Sequence, residues 1–391
     1  MIAFGSNMQT QLSAIHPTVI EYFASIEDPR LNRRKRHKLS DIFFMALYAI
    51  ICGADTWTGI AFFAKTKQKW FSQVLKLEHG TPSHDTFARV FSLIQPEQFS
   101  KCFSRWANDL STLKEREIIA IDGKCLRGSL DRASKKEAIY MVSAYAVENQ
   151  LVLGQQKVDE KSNEITAIPK LLNQLDITGS VVTLDAMGCQ KEIAQQIVDK
   201  GADYLLSLKG NQGKLHEDVR LFFESADTSP AVGDMSYNGE HGRFETRSVR
   251  ATAKINWLKE RHPEWENLTS IIAVTSEREL KGKISEETRY FISSLDADDP
   301  KYLGYVVRAH WAIENNLHWI LDNSFNEDHQ RMRLGYSDVN MAVMRHIALN
   351  LLKSEKTCKT GIKNKRLIAG WDEDYLLQIL TGKRGDTKNT D

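Results

Sequence analysis

The sequence predicts an α/β protein, in which a mixed sheet with flanking helices is interrupted by a β-rich insertion and preceded by an N-terminal helical domain. Three observations predict this class. Residues 1–110 carry helical patterns, whereas residues 111–225 follow the order β-β-β-α-β-α-β-α. Residues 226–295 are again rich in strand patterns, and residues 296–350 return to helix. A basic segment, 351–391, completes the predicted domain order.

Composition and length narrow the class of protein. A chain of 391 residues with 42% hydrophobic and 26% charged residues is ordinary for a globular protein of two or three domains. The longest apolar run, Ile42–Cys52, is shorter than the roughly 20 residues that span a bilayer, and the N-terminus lacks a signal-peptide charge pattern. The five cysteines form no Cys-x-x-Cys pair, which argues against a disulfide framework and a thiolate zinc site. We therefore expect a cytoplasmic protein with no membrane partner.

The charge distribution is more informative than the net charge of +1. Arg30–Lys38 is a dense basic run, and Lys353–Arg366 holds six Lys or Arg residues against one acid, Glu355. A solvated surface is the common meaning of such runs. Two runs that flank an acidic core also fit a nucleic-acid phosphate backbone that crosses separate domains.

The N-terminal domain contains two helix signals of interest. Ser40 precedes a long apolar run that ends at Gly53, which predicts a buried helix with an N-cap and a stop. Ser83 opens a later helix that carries Arg89 on its polar side. This second pattern fits either a helix-turn-helix reader of DNA or a plain helical bundle.

The segment around Asp122 organises the rest of the chain. Four apolar residues lead straight into Asp122, which predicts a buried strand that brings this carboxylate to its exposed end. Gly123 permits close approach, and Lys124 and Arg127 follow at once. An acid beside bases at a strand end suits a metal ion that meets a phosphate, although a surface Asp that ends a strand is the simpler interpretation.

The order of the following elements favours the metal interpretation. Ala138–Val147 and Leu151–Val158 predict a hairpin, and helices then alternate with strands, beginning with the strand Val181–Leu184. This order is found in ribonuclease H-like domains, where the ends of the first and fourth strands lie side by side. Asp122 and Asp185 occupy those ends, so we expect them to be neighbours.

The β-rich insertion contains a cluster of basic residues. Three strands are predicted, at Thr246–Ala253, Ser270–Thr275 and Thr288–Ser294. Arg243 and Arg247 belong to the segment Gly239–Arg247, whose Arg and His residues could bind phosphate, while exposed turn residues are the alternative interpretation.

A predicted helix over residues 302–321 carries His310, Glu314 and His318 at four-residue spacing on one face. Arg308 lies close by. A zinc site of these three is excluded, because side chains on successive turns of a straight helix spread over about 12 Å. A polar helix face at a domain surface remains the simple alternative.

Paired carboxylates explain the pattern chemically. Carboxylates that approach within a few ångströms repel each other unless a cation lies between them. Oxygen ligands suit Mg²⁺ or Mn²⁺, and two such ions about 4 Å apart can activate a nucleophile and stabilise the leaving oxygen of a phosphodiester. Asp122, Asp185 and Glu314 are therefore the candidate catalytic and metal-binding residues.

Six motifs in the same order resemble the H-repeat-associated proteins, a family of DDE-type insertion-sequence transposases. The likeness runs from about residue 16 to residue 382. The motifs are Ile121–Lys124, Asp159–Pro169, Thr183–Gln190, Leu208–Gln212, His241–Arg247 and His310–Trp319.

The resemblance implies a ribonuclease H-like core with Asp122, Asp185 and Glu314 as its acid triad. It implies a transposase that cleaves double-stranded DNA at element ends and transfers the strand to target DNA, with residues 1–110 helping to recognise the terminal repeats. Because two ends must be held together, we expect a homodimer on DNA, associated with the nucleoid. A metal-dependent nuclease of the same fold, or a non-catalytic DNA-binding protein derived from a transposase, are the alternatives.

The chain departs from the wider superfamily signature Tyr-x2-Arg-x3-Glu-x6-Lys around the third acid. His310 stands at the Arg place and Leu321 at the Lys place, and Arg308 and His318 are the candidate substitutes. The candidate DNA contacts are Lys124, Arg127, Lys209, Arg243, Arg247, Arg308, His310 and His318.

Overall fold

The computed structural model describes residues 19–131, 137–159, 162–225, 232–240, 243–280 and 283–381. The described strands form one nine-stranded mixed sheet in the order β3-β2-β1-β4-β5-β9-β8-β7-β6. These strands are β1 Ile118–Leu126, β2 Ile139–Ala146, β3 Leu151–Lys157, β4 Val181–Leu184, β5 Asp203–Leu208, β6 Val232–Glu240, β7 Arg243–Thr252, β8 Ser270–Leu280 and β9 Lys283–Ser293.

Helices precede the sheet, alternate with its strands and follow it. The N-terminal helices are α1 Val19–Phe23, α2 Leu39–Ile51, α3 Trp57–Thr66, α4 Gln68–Phe71, α5 His84–Leu93 and α6 Pro96–Leu110. The helices between strands are α7 Glu164–Leu172, α8 Lys191–Asp199, α9 Gly213–Glu224 and α10 Asn256–Arg261. The C-terminal helices are α11 Pro300–Ala309, α12 Trp319–Phe325, α13 Ser337–Ser354, α14 Ile362–Trp371 and α15 Glu373–Thr381.

The predicted order of the ribonuclease H-like part is confirmed, with one correction at β1. This strand pairs antiparallel with β2 and parallel with β4, and the parallel register ends at Ile121 opposite Leu184. Asp122 and Asp185 each come directly after the last residue pair of this parallel register. Both acids therefore lie at the same end of the two parallel strands. Asp122 is not at the strand end, however, because β1 continues to Leu126 along β2 alone.

The insertion extends the same sheet rather than forming a separate one. β9 pairs antiparallel with β5, and β8, β7 and β6 follow outward. The three predicted strands match β7, β8 and β9 to within one residue at their C-terminal ends in β7 and β9, and the observed strands are longer because they form extended hairpins. β6 was missed, since its Asp, Asn and two Gly residues disfavour a strand prediction.

Both faces of the sheet are covered. Alternate residues of β1 point to opposite faces, so Ile119 and Ile121 pack in one cluster with α7, α8 and α9. Ala120 belongs to a second cluster, which the N-terminal helices share with the C-terminal helices α12 to α15. α11 covers the same strands through a third cluster that includes Ile118. The end of the sheet that carries Asp122 and Asp185 therefore lies between layers of packed helices.

The N-terminal helices form as expected, with a shifted boundary. Residues 42–51 of α2 are buried all round, as the continuous apolar run predicts. The helix begins at Leu39 with Lys38 as N-cap, so the prediction of a Ser40 cap was wrong by two residues. Gly53 follows the helix with a φ of +96°, a conformation that glycine adopts without strain. Whether α5 reads DNA stays a prediction.

The basic C-terminal run turns partly inward, contrary to the idea of a uniformly solvated surface. Lys353 donates to the Tyr145 hydroxyl at 2.7 Å, and Lys365 donates to the Leu352 carbonyl at 3.0 Å. Arg366 is buried as well. Three of the six cations in this run therefore hold the fold together. No helix in the described part of the chain is both long and apolar enough to cross a membrane.

Candidate active site

A pocket of about 240 Å³ opens at the point where the parallel pairing of β1 with β4 ends. Asp122, Asp185 and Glu314 all line it, although they come from separate regions of the sequence. His310 and Lys209 line the same pocket. The structure therefore brings the three predicted acids to one place.

Asp185 is oriented by the turn that follows β4. Its Oδ1 accepts hydrogen bonds from the backbone N–H groups of Met187 at 3.0 Å and Gly188 at 3.1 Å. A carboxylate that binds the backbone two and three residues ahead is typical of Asx turns, and it fixes the side-chain direction. The other carboxylate oxygen is left for the pocket.

The segment that carries Glu314 is less regular than predicted. Instead of one helix over residues 302–321, α11 ends at Ala309, and a single π-helical turn over Glu314–His318 precedes α12. π-turns widen a helix by one residue and occur often at functional sites. This local geometry, rather than simple four-residue spacing, sets the directions of the site side chains.

The π-turn brings His318 against the acids. Its Nδ1 lies 3.4 Å from Glu314 Oε2 and 3.7 Å from Asp122 Oδ2. One donor atom from each of these three residues lies within 4.8 Å of the others. His310 lines the same pocket outside this group, with its Nδ1 3.0 Å from Thr183 Oγ1. Of the two predicted histidines, His318 joins the tight group with Glu314, and His310 lies at the pocket wall.

The electrostatics of the site favour a bound cation. Burial raises the pKa of Asp122 to about 7, with His318 opposing the rise and the Glu314 and Asp185 carboxylates adding to it. The neighbouring His318 lowers the pKa of Glu314. A carboxyl with so high a pKa holds its proton near neutrality, and a divalent cation would displace that proton and bind in its place.

The donor set fits a divalent metal ion. Carboxylate oxygens from Asp122 and Glu314 suit Mg²⁺ or Mn²⁺, and Asp185 lies in the same pocket outside the tightest group. The imidazole of His318 is an addition to the oxygen-only set expected from the sequence. It could act as a ligand or hold Glu314 in place.

Lys124 has a different environment from the one predicted. Its ammonium donates to Asp322 Oδ1 at 2.6 Å and to Glu327 Oε2 at 3.0 Å, and its side chain is only 11% exposed. Glu327 also meets Arg345 at 3.2 Å. A DNA phosphate cannot readily reach an ammonium held in this way, so the predicted DNA contact does not fit this placement.

Three of the predicted DNA contacts are exposed. Arg127 has an 80% exposed side chain and approaches Asp328 only to 3.6 Å. Lys209 is exposed at the pocket wall, and Arg308 is exposed at the end of α11. These positions leave the three side chains accessible to a ligand from solvent.

The basic cluster of the insertion is less open. Arg247 pairs with the buried Glu245 at 2.6 Å and is itself largely covered. The backbone of Arg243 lies in β7, but its side chain and the whole of His241 lie outside the part of the chain that the structure describes. Their predicted phosphate contacts stay predictions.

Arg289 is a pocket residue that sequence reasoning missed. It lies on β9, lines the pocket and places its guanidinium 5.7 Å above the exposed Trp311 ring. Glu287 accepts two hydrogen bonds from it, each 2.9 Å long. The strand was predicted, but its pairing with the distant β5 was not, and only that pairing brings Arg289 to the acids.

Comparison with known proteins gives two family matches. A family described as "Transposase DDE domain" matches residues 113–351, which include β1 to β9 and the three acids. A second, described as "DDE_Tnp_1-associated", matches residues 20–107, the N-terminal helices. The boundary between the two matches lies just before β1.

Individual relatives cover nearly the whole chain. "Putative transposase YncI" of Escherichia coli O157:H7 is 42% identical over 93% of this chain and 94% of its own length. "H repeat-associated putative transposase YhhI" of Escherichia coli strain K12 is 40% identical over 93% of this chain and 98% of its own. "Putative protein YbfL" of the same strain is 39% identical, again over 93% of this chain and 98% of its own length.

Proposed function

The chain belongs to the DDE transposase family, and from that premise we propose that it cleaves DNA at the ends of a mobile element and joins the freed 3′ hydroxyl to target DNA. The observation that carries the proposal is the convergence of Asp122, Asp185 and Glu314 on one pocket. A pocket with three carboxylates and basic residues at its wall suits a phosphodiester better than a neutral substrate.

We infer that these three carboxylates hold Mg²⁺ or Mn²⁺, and that two ions bind. Such ions would activate a water or sugar hydroxyl as the nucleophile and would stabilise the leaving oxygen. The residues of the chain do the positioning. The turn after β4 fixes Asp185, and His318 keeps Glu314 ionised beside Asp122.

We expect exposed cations to contact the DNA backbone. Lys209 lies at the pocket wall, and Arg127 and Arg308 are accessible to solvent. Contacts of this kind neutralise phosphates and position the duplex without reading its sequence. Such a substrate would place the protein at the nucleoid in the cytoplasm.

The test is a strand-transfer assay on the chain's own flanking terminal repeats with Mg²⁺. We expect cleaved and joined products, and a loss of more than about 100-fold in both for Asp122→Asn and Glu314→Gln, because each removes a metal ligand. Glu192→Gln, which alters an exposed carboxylate on α8, is the control and should retain full activity.

The same assay separates the alternatives. Cleavage without joined product would favour a metal-dependent nuclease of this fold. DNA binding without either product, in a protein whose circular dichroism is native, would favour a non-catalytic DNA-binding protein.

We further propose that the active form is a homodimer on DNA, because transposition requires two element ends to be held together. Gel filtration with end-repeat DNA should show a complex with two protein chains. A complex with one chain at every protein concentration would contradict the proposal.

A further inference from the structure

A fourth carboxylate, that of Glu164, packs directly on the β1 backbone beside Asp122. Glu164 is the first residue of α7. A Cβ at Gly123 would overlap with the Oε1 and Cδ atoms of Glu164 and would lie 3.0 Å from its Oε2. The carboxylate thus occupies the space of a side chain at position 123, and only glycine at that position leaves room for it.

This carboxylate is half-buried and lacks a partner. Glu164 makes no hydrogen bond and no ion pair with any residue that the structure describes. The helix N-terminus does not need it as a cap, because Asn163 Oδ1 already accepts from the Ile165 N–H at 3.1 Å. No side chain in the described part of the chain neutralises this carboxylate, so a cation bound beside it would stabilise its charge.

The charged groups that shift the pKa of Glu164 belong to the proposed metal site. Burial raises its pKa, the Asp185 carboxylate adds to the rise, and His318 opposes it. The tight group of Asp122, Glu314 and His318 does not include Asp185. Asp185 and Glu164 are therefore carboxylates that influence each other electrostatically and lie outside this tight group.

We propose that Glu164 is a fourth carboxylate ligand of the divalent-metal site, binding together with Asp122 and Asp185. The proposal rests on the proposed function and deepens it. A fourth carboxylate would supply one more protein ligand for two ions, each of which prefers six oxygen ligands and fills its remaining positions with water and substrate oxygens. Gly123 keeps the approach open, and α7, which packs on β2 and β3, delivers the acid.

The test measures metal binding on the full chain without DNA. MnCl₂ is titrated into the protein, and free Mn²⁺ is followed by electron paramagnetic resonance. We expect Glu164→Gln to weaken Mn²⁺ binding by about 10-fold or more, or to remove one of two bound ions. Asp159→Asn is the matched control, because Asp159 lies in the same β3–α7 connection but is exposed and paired with Lys170.

Asp122→Asn separates failure of this inference from failure of the proposed function. If Asp122→Asn abolishes Mn²⁺ binding while Glu164→Gln binds as the wild type does, only the role of Glu164 is overturned. If Asp122→Asn also binds as the wild type does, the metal site itself is wrong and both proposals fall.

Gly123→Ala provides a second route that leaves the carboxylate in the protein. The atoms that the new methyl would meet belong to the end of a flexible side chain, so the chain should fold with Glu164 displaced. We expect Mn²⁺ binding to weaken as in Glu164→Gln, with no further loss when Gly123→Ala is added to Glu164→Ala. Wild-type binding by folded Gly123→Ala would overturn the proposal.

Discussion

Lys124 is the residue whose role changes most between sequence and structure. In the sequence it follows the acid by two places and looks like a phosphate contact, whereas in the structure it neutralises Asp322 and the buried Glu327. Burial would disfavour its charge, but these carboxylates hold the pKa of Lys124 above its usual value. The ammonium therefore links β1 to the segment after α12 and supports the active-site edge.

The first prediction contrasts this lysine with Lys209. We expect Lys124→Met to lower the free energy of unfolding by about 3 kcal/mol, because it leaves buried carboxylate charge with fewer partners. Lys209→Met should leave stability within about 0.5 kcal/mol of the wild type and weaken DNA binding, since Lys209 is exposed. Urea unfolding and a salt-dependent DNA titration measure the two effects.

Unchanged stability together with weaker DNA binding in Lys124→Met would instead indicate that Lys124 contacts DNA. In that case, Lys124→Met would unfold at the wild-type urea concentration, and the slope of log affinity against log salt would fall by about 1.

A second prediction concerns His346, which is buried on α13 near Glu327. Burial lowers its pKa to about 4, against about 6.5 in an unfolded chain. The unfolded state therefore binds more protons between these values, and the contribution of this residue to stability falls as the pH drops from 6.5 towards 4. We expect His346 to account for roughly 2 kcal/mol of stability lost between pH 7.5 and pH 5.

The measurement is urea unfolding of the wild type and of His346→Gln at both pH values. Between pH 7.5 and pH 5, the free energy of unfolding of the variant should fall by roughly 2 kcal/mol less than that of the wild type. Equal losses would show that His346 does not titrate between the folded and unfolded states. Glu327, whose pKa is lowered to about 2, affects stability only at lower pH, between about 4.3 and 2.

At the scale of elements, α13 joins the helical layer to the sheet through two buried asparagines. Asn340 donates from its amide nitrogen to the carbonyls of Phe91 and Ile94, at the end of α5. Asn350 bonds both backbone groups of Val152, accepting from its N–H at 2.9 Å and donating to its carbonyl at 2.8 Å. β3 is the edge of the sheet, so Asn350 satisfies backbone groups that would otherwise be buried and unpaired.

The third prediction follows from that pairing. Asn350→Leu should lower the free energy of unfolding by roughly 2–4 kcal/mol, because two buried backbone groups of Val152 lose their partner. Asn364→Leu, an exposed change on α14, is the matched control and should have little effect. A thermal melt of each variant measures the difference, and equal melting temperatures would contradict the assigned role of Asn350.

The elements also show what sequence reasoning could and could not reach. The element order of the ribonuclease H-like part and the proximity of Asp122 and Asp185 were predictable, because hydrophobic periodicity and chain order constrain the parallel pairing of β1 with β4. The π-turn at Glu314–His318 was not, since it depends on packing that no local pattern encodes. Arg289 and Lys124 were misjudged for the same reason: their partners are distant in the sequence.

The whole molecule is built around a core that its two ends share. One hydrophobic cluster contains the N-terminal helices, residues of β1 to β3 and helices α12 to α15. Arg366 of α14 reaches back to α2, where its Nη2 donates to the Ile50 carbonyl at 2.8 Å and to Asp55 at 2.5 Å. The N-terminal helices therefore depend on residues more than 300 positions away for part of their packing.

This arrangement predicts that residues 1–110 do not fold as an isolated unit. The fragment would expose the apolar surface that α13 to α15 cover, and the Ile50 carbonyl would lose Arg366. We expect a fragment of residues 1–110 to melt without a cooperative transition. In a truncated protein that ends at residue 354, we expect a protease to cleave the N-terminal helices much faster than it does in the full chain. Circular dichroism and limited proteolysis provide the measurements. Cooperative melting of the fragment with native helix content would show that the N-terminal helices are an independent domain, and terminal-repeat recognition could then be assayed on them alone.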